Sequence, residues 1–436
     1  MAGMNVADSG AGVVADSGAG VVADSGAGVV ADSGASVVAD SGASVVADSG
    51  ADIIVVGLGA MGAATLLALA RRGVRALGID RFAPPHTMGS SHGDTRITRL
   101  AVGEGTEYAP LVARSHALWR ELEHETGEQL LLQCGGLVMG RRGIATGHHG
   151  KPAFVERTLA VARDNAIPHE ALDADELRRR WPQMRLEGDE IASYEPSAGL
   201  VFPERCISAQ LTVAARLGAR TQLGTTVRAV TRDGDGVRVS TDQGDFRAAR
   251  VVLTPGAWIA DLAPSLAPLT RIRRQVLHWY PVADPAAYAP GRFPIFIWMH
   301  GGAEGDYFYG FPCLPGEATL KVATEQAEHN TSADTANRSV DPAESAAFHA
   351  RHVAPRLAGV GNPARRAAAC LYTVTPDSGF IVDTLPGIVL ASACSGHGFK
   401  HSAGLGEALA AKACGAGPAL ESFGSRRFEG KEVVLF

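Results

Sequence analysis

The sequence predicts an α/β fold of two lobes, one built on an interrupted parallel sheet and the other on a mainly antiparallel sheet with helices. Three observations predict it. An apolar β-branched run at Ile53 leads through a glycine-rich turn into an Ala/Leu-rich helix and a second strand ending at Asp80. A second strand, glycine-bracketed loop and small-residue helix lies near the C-terminus, in IVLASACSGHGFKHSAGLGEALA. Between them, aromatic and β-branched segments from Arg271 to Thr324 alternate with Gly/Pro turns, the pattern of antiparallel strands. A chain of 436 residues, 46% hydrophobic and 20% charged, can bury the cores of two or three such lobes.

The first 48 residues stand apart. ADSGAGVV begins at Ala7, Ala15 and Ala23, ADSGASVV at Ala31 and Ala39, and a last copy runs into the first strand as ADSGADII. One Val pair per copy buries too little to offset chain entropy, so residues 1–48 are expected to be a disordered tail; a small β-solenoid is the rival for a fixed eight-residue period. The tail carries six aspartates and no Lys, Arg or Glu, leaving 40 acidic and 40 basic residues in the body. A neutral body gives no support for a nucleic-acid or anionic-membrane surface. Six cysteines without a C-x-x-C pair, and no basic start before an apolar stretch, point to a reducing, cytoplasmic setting without disulfides or zinc.

Gly57, Gly59 and Gly62 form G-x-G-x-x-G in a strand–turn–helix–strand setting, the signature of a Rossmann-like dinucleotide site. Gly57 allows the tight turn, Gly59 lets backbone approach a pyrophosphate, and Gly62 lets helix and strand pack closely, with the phosphates at the helix N-terminus. Asp80, 23 residues beyond Gly57, is placed to accept from ribose hydroxyls and disfavours a 2′-phosphate. The uncharged run Ile53–Ala70 is 18 residues, the lower limit of a membrane span, but its glycines fall at fingerprint positions and a charged continuation follows.

The stretch 81–108 is polar and rich in Gly, His and Arg; Arg96 and Arg99 share a face if a helix begins near Asp94. Helices are expected over Tyr108–Thr126, Phe154–Asn165, Ala174–Arg180 and Ile207–Leu217, and strand or turn over Gln129–Gly140. Strands at Thr225–Thr231, Val237–Thr241 and Ala248–Leu253 imply that the nucleotide domain is built from discontinuous pieces. Lys321 lies between Leu320 and Val322 in a strand, either outward, the usual case, or aimed into a site. Amides of the loop Ser395–Lys400 are suited to holding a cofactor, though His397 and Lys400 are equally readable as solvated.

GLGAMG with Asp80, PPHTMGSSHGDTRITR followed by GEG, YGFP, the strand lysine, ACLYT with PDSGFIVD, and SGHGFKHS, in this order, resemble the monomeric sarcosine oxidase and N-methyltryptophan oxidase family, flavoproteins of the amino-acid oxidase class. The resemblance runs from about Asp52 to the C-terminus. It implies FAD held by Gly57, Gly59, Gly62, Asp80, Ser90, Arg96, Gly396, His397, Gly398 and Lys400, and joined by a thioether to Cys370. It places His92 and Arg96 beside the flavin ring and Lys321 on its oxygen-reacting face, where a cation stabilises developing superoxide charge. Arg99 and Lys400 match the pair that binds the substrate carboxylate, and Tyr309 and Tyr372 match aromatics of the pocket. Lys321, Arg96, His92 and Tyr309 thus form the implied catalytic set, and no metal is required. Two departures concern the substrate. Glu325 stands where the family often has histidine, suited to a cationic amine or a larger polar substrate, and Ser91 and Leu100 replace family histidines.

The implied activity is oxidation of an N-methyl or cyclic amino acid to an imine, with O2 reduced to hydrogen peroxide, by a monomer acting on a small molecule. A dehydrogenase passing electrons to a carrier, a nicotinamide enzyme, and a non-catalytic FAD-binding subunit are the alternatives. The expected division is 49–105, 200–265 and 366–436 for the FAD-binding domain, and 106–199 and 266–365 for the substrate domain.

Overall fold

The computed structural model describes residues 46–48, 50–144, 147–303, 305–418 and 420–430. Its organising element is a six-stranded sheet in the order Arg220–Gln222, Ala76–Ile79, Ile53–Val56, Arg250–Leu253, Ile388–Ser392, Ile381–Leu385. The first five strands run parallel, and the last turns back antiparallel as a hairpin.

The central strand is buried on both faces, and its residues alternate between two cores, as the two-residue period of a strand requires. Ile53 and Val55 face the helices Ala60–Arg71, Ala109–Thr126, Pro203–Arg216 and Ser402–Ala413. Ile54 and Val56 face a core shared with Val237, Val239 and Ala248 from a separate four-stranded sheet. Small residues let the first and last of these helices approach closely, since a Cβ at Gly406 would overlap the Ala64 methyl. The 18-residue uncharged run therefore divides between a strand and a helix, and no helix among the described residues is long and apolar enough to cross a membrane.

A nine-stranded sheet forms the other lobe. It runs Asn330–Thr331, Arg271–Pro281, Thr319–Ala323, Tyr307–Gly310, Ile295–Met299, Gly136–Arg141, Glu190–Glu195, Glu170–Asp173, with Arg366–Val374 also pairing with Arg271–Pro281. All neighbours are antiparallel except Ile295–Met299 beside Gly136–Arg141. An aromatic core of Tyr280, Tyr288, Phe293, Phe296, Trp298 and Phe308 covers one side of this sheet. Burying each such ring fully is worth roughly 1.5–3 kcal/mol, which fixes the sheet as a stiff platform.

The structure corrects two expectations and bears on two others. Arg96–Thr98 is a strand paired with Gly199–Val201, because β-branched Ile97 and Thr98 favour extended backbone; Arg96 and Arg99 therefore share no helical face and go to different partners. Val227–Asp233, Gly236–Thr241 and Gly244–Ala248 form their own sheet and Arg250–Leu253 joins the parallel sheet, so the expected discontinuous region divides between two sheets. Arg366–Val374, expected in the FAD-binding domain, is a strand of the large sheet, where nine residues of continuous pairing with Arg271–Trp279 set Cys370 opposite Gln275. The expected disordered tail lies outside the described residues except at Val46–Asp48, where backbone pairing in parallel with Gly244–Ala248 makes a short edge strand.

Candidate active site

One cleft of about 550 Å³ runs from the C-terminal end of the parallel sheet to the face of the large sheet. Gly57, Gly59, Ala60 and Asp80 line one end, and Arg99, Glu104, Tyr309, Lys321, Glu325, Tyr372 and Lys400 line the other.

At the sheet end, glycines are demanded by space. Gly57 has φ +84°, and a Cβ there would lie 2.5 Å from the Thr254 carbonyl oxygen; at Gly62 it would overlap the carbonyl oxygen of Gly57. At Gly59 a Cβ would meet only the Ser91 hydroxyl, at 3.8 Å, because that side opens on the cleft. The helix Ala60–Arg71 begins there with no N-cap side chain and no acid in its first turn; the Ala60 N–H donates to Ser91 Oγ at a long 3.4 Å, and the dipole favours an anion at this end. Asp80 accepts from the amides of Leu58 and Phe82, both at 2.7 Å. Burial raises its pKa, with those two amides and His86 opposing. Thr373 and Ser392, lining the middle of the cleft, carry buried hydroxyl oxygens without a partner. A bare helix start, a glycine cradle, a ribose-type carboxylate and orphaned hydroxyls together fit an adenine dinucleotide cofactor such as FAD.

At the other end, charged side chains from distant segments meet. Arg99 Nη2 lies 2.8 Å from Glu104 Oε2, its Nη1 donates to the Ala101 carbonyl, and its Nε has no partner. Lys400 Nζ lies 3.1 Å from Glu104 Oε1 and 3.0 Å from the His397 carbonyl oxygen. The two expected carboxylate-binding cations therefore do converge, and they do so on the carboxylate of Glu104. Burial opposes ionisation of Glu104, yet Arg99 and Lys400 hold its pKa well below the usual range. Burial lowers Lys400 to about 8, with Glu104 resisting the shift.

Glu325, expected to suit a cationic amine or a larger polar substrate, is bonded on both oxygens. Its Oε1 is 2.6 Å from His149 Nε2, and its Oε2 accepts from the Tyr307 hydroxyl at 2.9 Å. Burial works against this charge too, but His149 keeps Glu325 at about 2. His149 Nδ1 lies 3.4 Å from Glu104 Oε1. Burial disfavours its charge, and the two carboxylates outweigh burial, so its pKa rises above the ordinary imidazole value. His148, His149 and Glu325 offer three metal-ligand-type atoms within 4.8 Å, but two of these are already bonded to each other.

Lys321 is buried and donates to the carbonyls of Gly93 at 2.6 Å and Thr95 at 2.7 Å and to the Thr95 hydroxyl at 3.1 Å. That removes the outward reading. Burial, then Arg96, pushes its pKa well below that of a free lysine, while three oxygen acceptors surround the amine. Arg96 donates to the carbonyls of Thr95 and Ser90, at 2.8 and 2.7 Å. Tyr309 and Tyr372 face each other with hydroxyls 3.3 Å apart.

Of the residues singled out from sequence, Ser90, Gly396, His397 and Gly398 also line the cleft. Gly62, His92 and Cys370 lie behind it. His92 is buried with an unpartnered Nε2, and burial together with Arg96 lowers it to about 3, a neutral imidazole. Cys370 is fully buried; burial raises its thiol pKa, while Arg96 and Lys321 pull it down. Cys394, not singled out, lines the cleft itself. Glu104, His148, His149 and Tyr307 were missed as well; the only signals were the GEG after the basic segment and a histidine pair before Gly150.

A family model described as FAD-dependent oxidoreductase matches residues 52–412. Monomeric sarcosine oxidase of Streptomyces avermitilis is 37% identical over 363 residues, covering 82% of this chain and 92% of its own. N-methyl-L-tryptophan oxidase of Salmonella arizonae is 34% identical over 366 residues, 82% of this chain and 93% of its own. Among solved structures, NikD, an unusual amino acid oxidase essential for nikkomycin biosynthesis, superposes with a TM-score of 0.71 at 25% identity, covering 83% of this chain and 93% of that one. Glycine oxidase from Geobacillus kaustophilus shares the fold, with a TM-score of 0.68 at 20% identity and coverage of 88% and 99%.

Proposed function

This chain belongs to the FAD-dependent oxidoreductase family, and from that premise we propose that it oxidises an N-methyl or cyclic amino acid to the imine while O2 is reduced to hydrogen peroxide. The observation that carries the reading is the continuity of one cleft from the glycine cradle to the Arg99–Lys400 pair. A dinucleotide site alone fits many oxidoreductases. Joined to two buried cations, it fits a cofactor facing a small acid.

The substrate loses two electrons and two protons as its C–N bond becomes C=N, O2 receives both as peroxide, and water hydrolyses the released imine. FAD, when bound, supplies the two-electron acceptor for that oxidation and the route of the pair to O2. The chain supplies position and charge. Arg99 and Lys400, which line the cleft side by side on Glu104, hold the substrate carboxylate. Tyr309 and Tyr372 bound the pocket beside them, and burial of the ion cluster keeps bulk water from screening the contact. Lys321 lies at the same end of the cleft, where its three oxygen contacts hold the amine in one orientation.

We assign the covalent link to Cys370, whose thiol lies behind the cleft; burial raises its pKa, and Arg96 and Lys321 act in the opposite direction, towards the thiolate. The enzyme acts as a monomer on a small-molecule substrate with O2.

Anaerobic mixing with sarcosine, N-methyl amino acids, proline and pipecolate is expected to bleach the flavin with at least one of them, and readmitted air to restore colour with one peroxide per substrate. No bleaching by any secondary amino acid removes the proposal, and bleaching without peroxide favours a dehydrogenase. In the same preparations, acid-denatured protein is expected to stay yellow, and Cys370→Ala protein to release its colour. Retention of colour in that variant and its loss in Cys394→Ala would move the link to the cleft cysteine.

A further inference from the structure

His149 reaches the cleft from the tip of a two-stranded hairpin, Gly147–His148 paired with Lys151–Pro152. The tip is tight, with φ +50° at His149 and +67° at Gly150. A left-handed histidine is uncommon and persists only where its surroundings hold it. Here they do: Nε2 is bonded to Glu325, Nδ1 faces Glu104, and the ring packs on His148 and His397 with centroids 3.8 and 4.9 Å away.

Space has been left for the pair. Gly396 has φ +78°, and a Cβ on it would overlap Glu325 Oε1 and lie 2.8 Å from His149 Nε2. Two segments 176 residues apart thus meet where a third carries no side chain.

The charges around the chamber count simply. Arg99, Lys400 and His149 are positive, and Glu104 and Glu325 negative. The other titratable groups facing His149 stay uncharged: burial lowers His148 to about 3 and His397 well below the ordinary value, and the Tyr307 hydroxyl donates to Glu325. Within this ion cluster one positive charge is left over, enough for one substrate carboxylate, while Lys321 and Arg96 of the same cleft are bonded to backbone carbonyls.

We propose that His149 and Glu325 act together as a charge-balanced wall that determines specificity, admitting substrates with one carboxylate and an uncharged side chain. Without His149 the wall is an anion and selects a basic side chain; without Glu325 the imidazole lacks the carboxylate that favours its charge and pairs instead with an acidic side chain brought by the ligand. This deepens the amino-acid oxidase reading and rests on it. A carboxylate already bonded on both oxygens offers little to a cationic amine, contrary to what Glu325 alone implies from sequence.

The test uses equilibrium binding of pentanoate, 5-aminopentanoate and glutarate to the holoenzyme, followed by perturbation of the flavin spectrum. His149→Asn suits the left-handed position, and Glu325→Gln keeps size. The unsubstituted enzyme is expected to bind pentanoate best. His149→Asn should shift the 5-aminopentanoate to pentanoate preference by tenfold or more towards the amine, Glu325→Gln should shift the glutarate to pentanoate preference by a similar factor, and the double variant should return to the original order. Equal weakening of all three probes in both single variants overturns the proposal, since a merely structural pair would behave so. Failure of the unsubstituted enzyme both to bind any probe and to be bleached by any secondary amino acid sinks the parent reading, and this one with it.

Discussion

The two ends of the cleft are built on opposite principles. The cofactor end is made of backbone and absence: Gly57 and Gly62 are there because neighbouring atoms occupy the place of a side chain. The chamber end is made of long charged side chains that hold one another, Arg99 and Lys400 on Glu104, and His149 on Glu325. The first is rigid through packing and fails abruptly when filled. The second is a network whose members can be exchanged singly, and it is where substrate choice can be altered.

The largest effect should come from crowding the first region. Gly62→Val places a side chain on the Gly57 carbonyl, and purified protein is expected to hold less than about a tenth of the normal flavin. Full flavin content in that variant would break the contrast. Arg99→Leu comes next, with flavin content unchanged and kcat/KM lower by about 10²–10³, the consequence of removing one partner of a buried charged set worth about 3–4 kcal/mol. Equal loss of flavin and turnover would show the two ends to be one unit. The mildest test is pH. Lys400 is charged below about 8 and neutral above it, so its attraction for a carboxylate is present at low pH and lost as pH rises. KM is expected to climb by up to about tenfold per unit above pH 8 while kcat changes little, and a KM that stays flat to pH 9.5 would leave the carboxylate to Arg99 alone.

The same contrast explains what the sequence disclosed. The glycine cradle and Asp80 fall within 24 residues, and close packing leaves its mark as glycine at fixed spacing. The parallel and antiparallel lobes were legible for a similar reason, since apolar runs and turns are local. The ion cluster was legible only in pieces. Arg99 and Lys400 stood out through resemblance, but Glu104, five residues from Arg99, has the look of any acid in a glycine loop until its burial is known. His149 shows in the sequence only as half of a histidine pair before Gly150, with nothing to tie it to Glu325, 176 positions away. Lys321 shows the limit of periodicity: alternation sets it apart from Leu320 and Val322 without saying which side is covered. The strand holding Cys370 is expected with the FAD-binding segments and instead pairs over nine residues with the antiparallel sheet, a partner that no local pattern specifies.

That strand has a mechanical meaning. The glycine cradle is anchored in the parallel sheet and Cys370 in the antiparallel one, so a thioether at this cysteine makes the prosthetic group a rivet across the lobes. Heating the riveted protein should melt both halves in a single step, whereas the Cys370→Ala protein, stripped of flavin, is free to lose one half before the other.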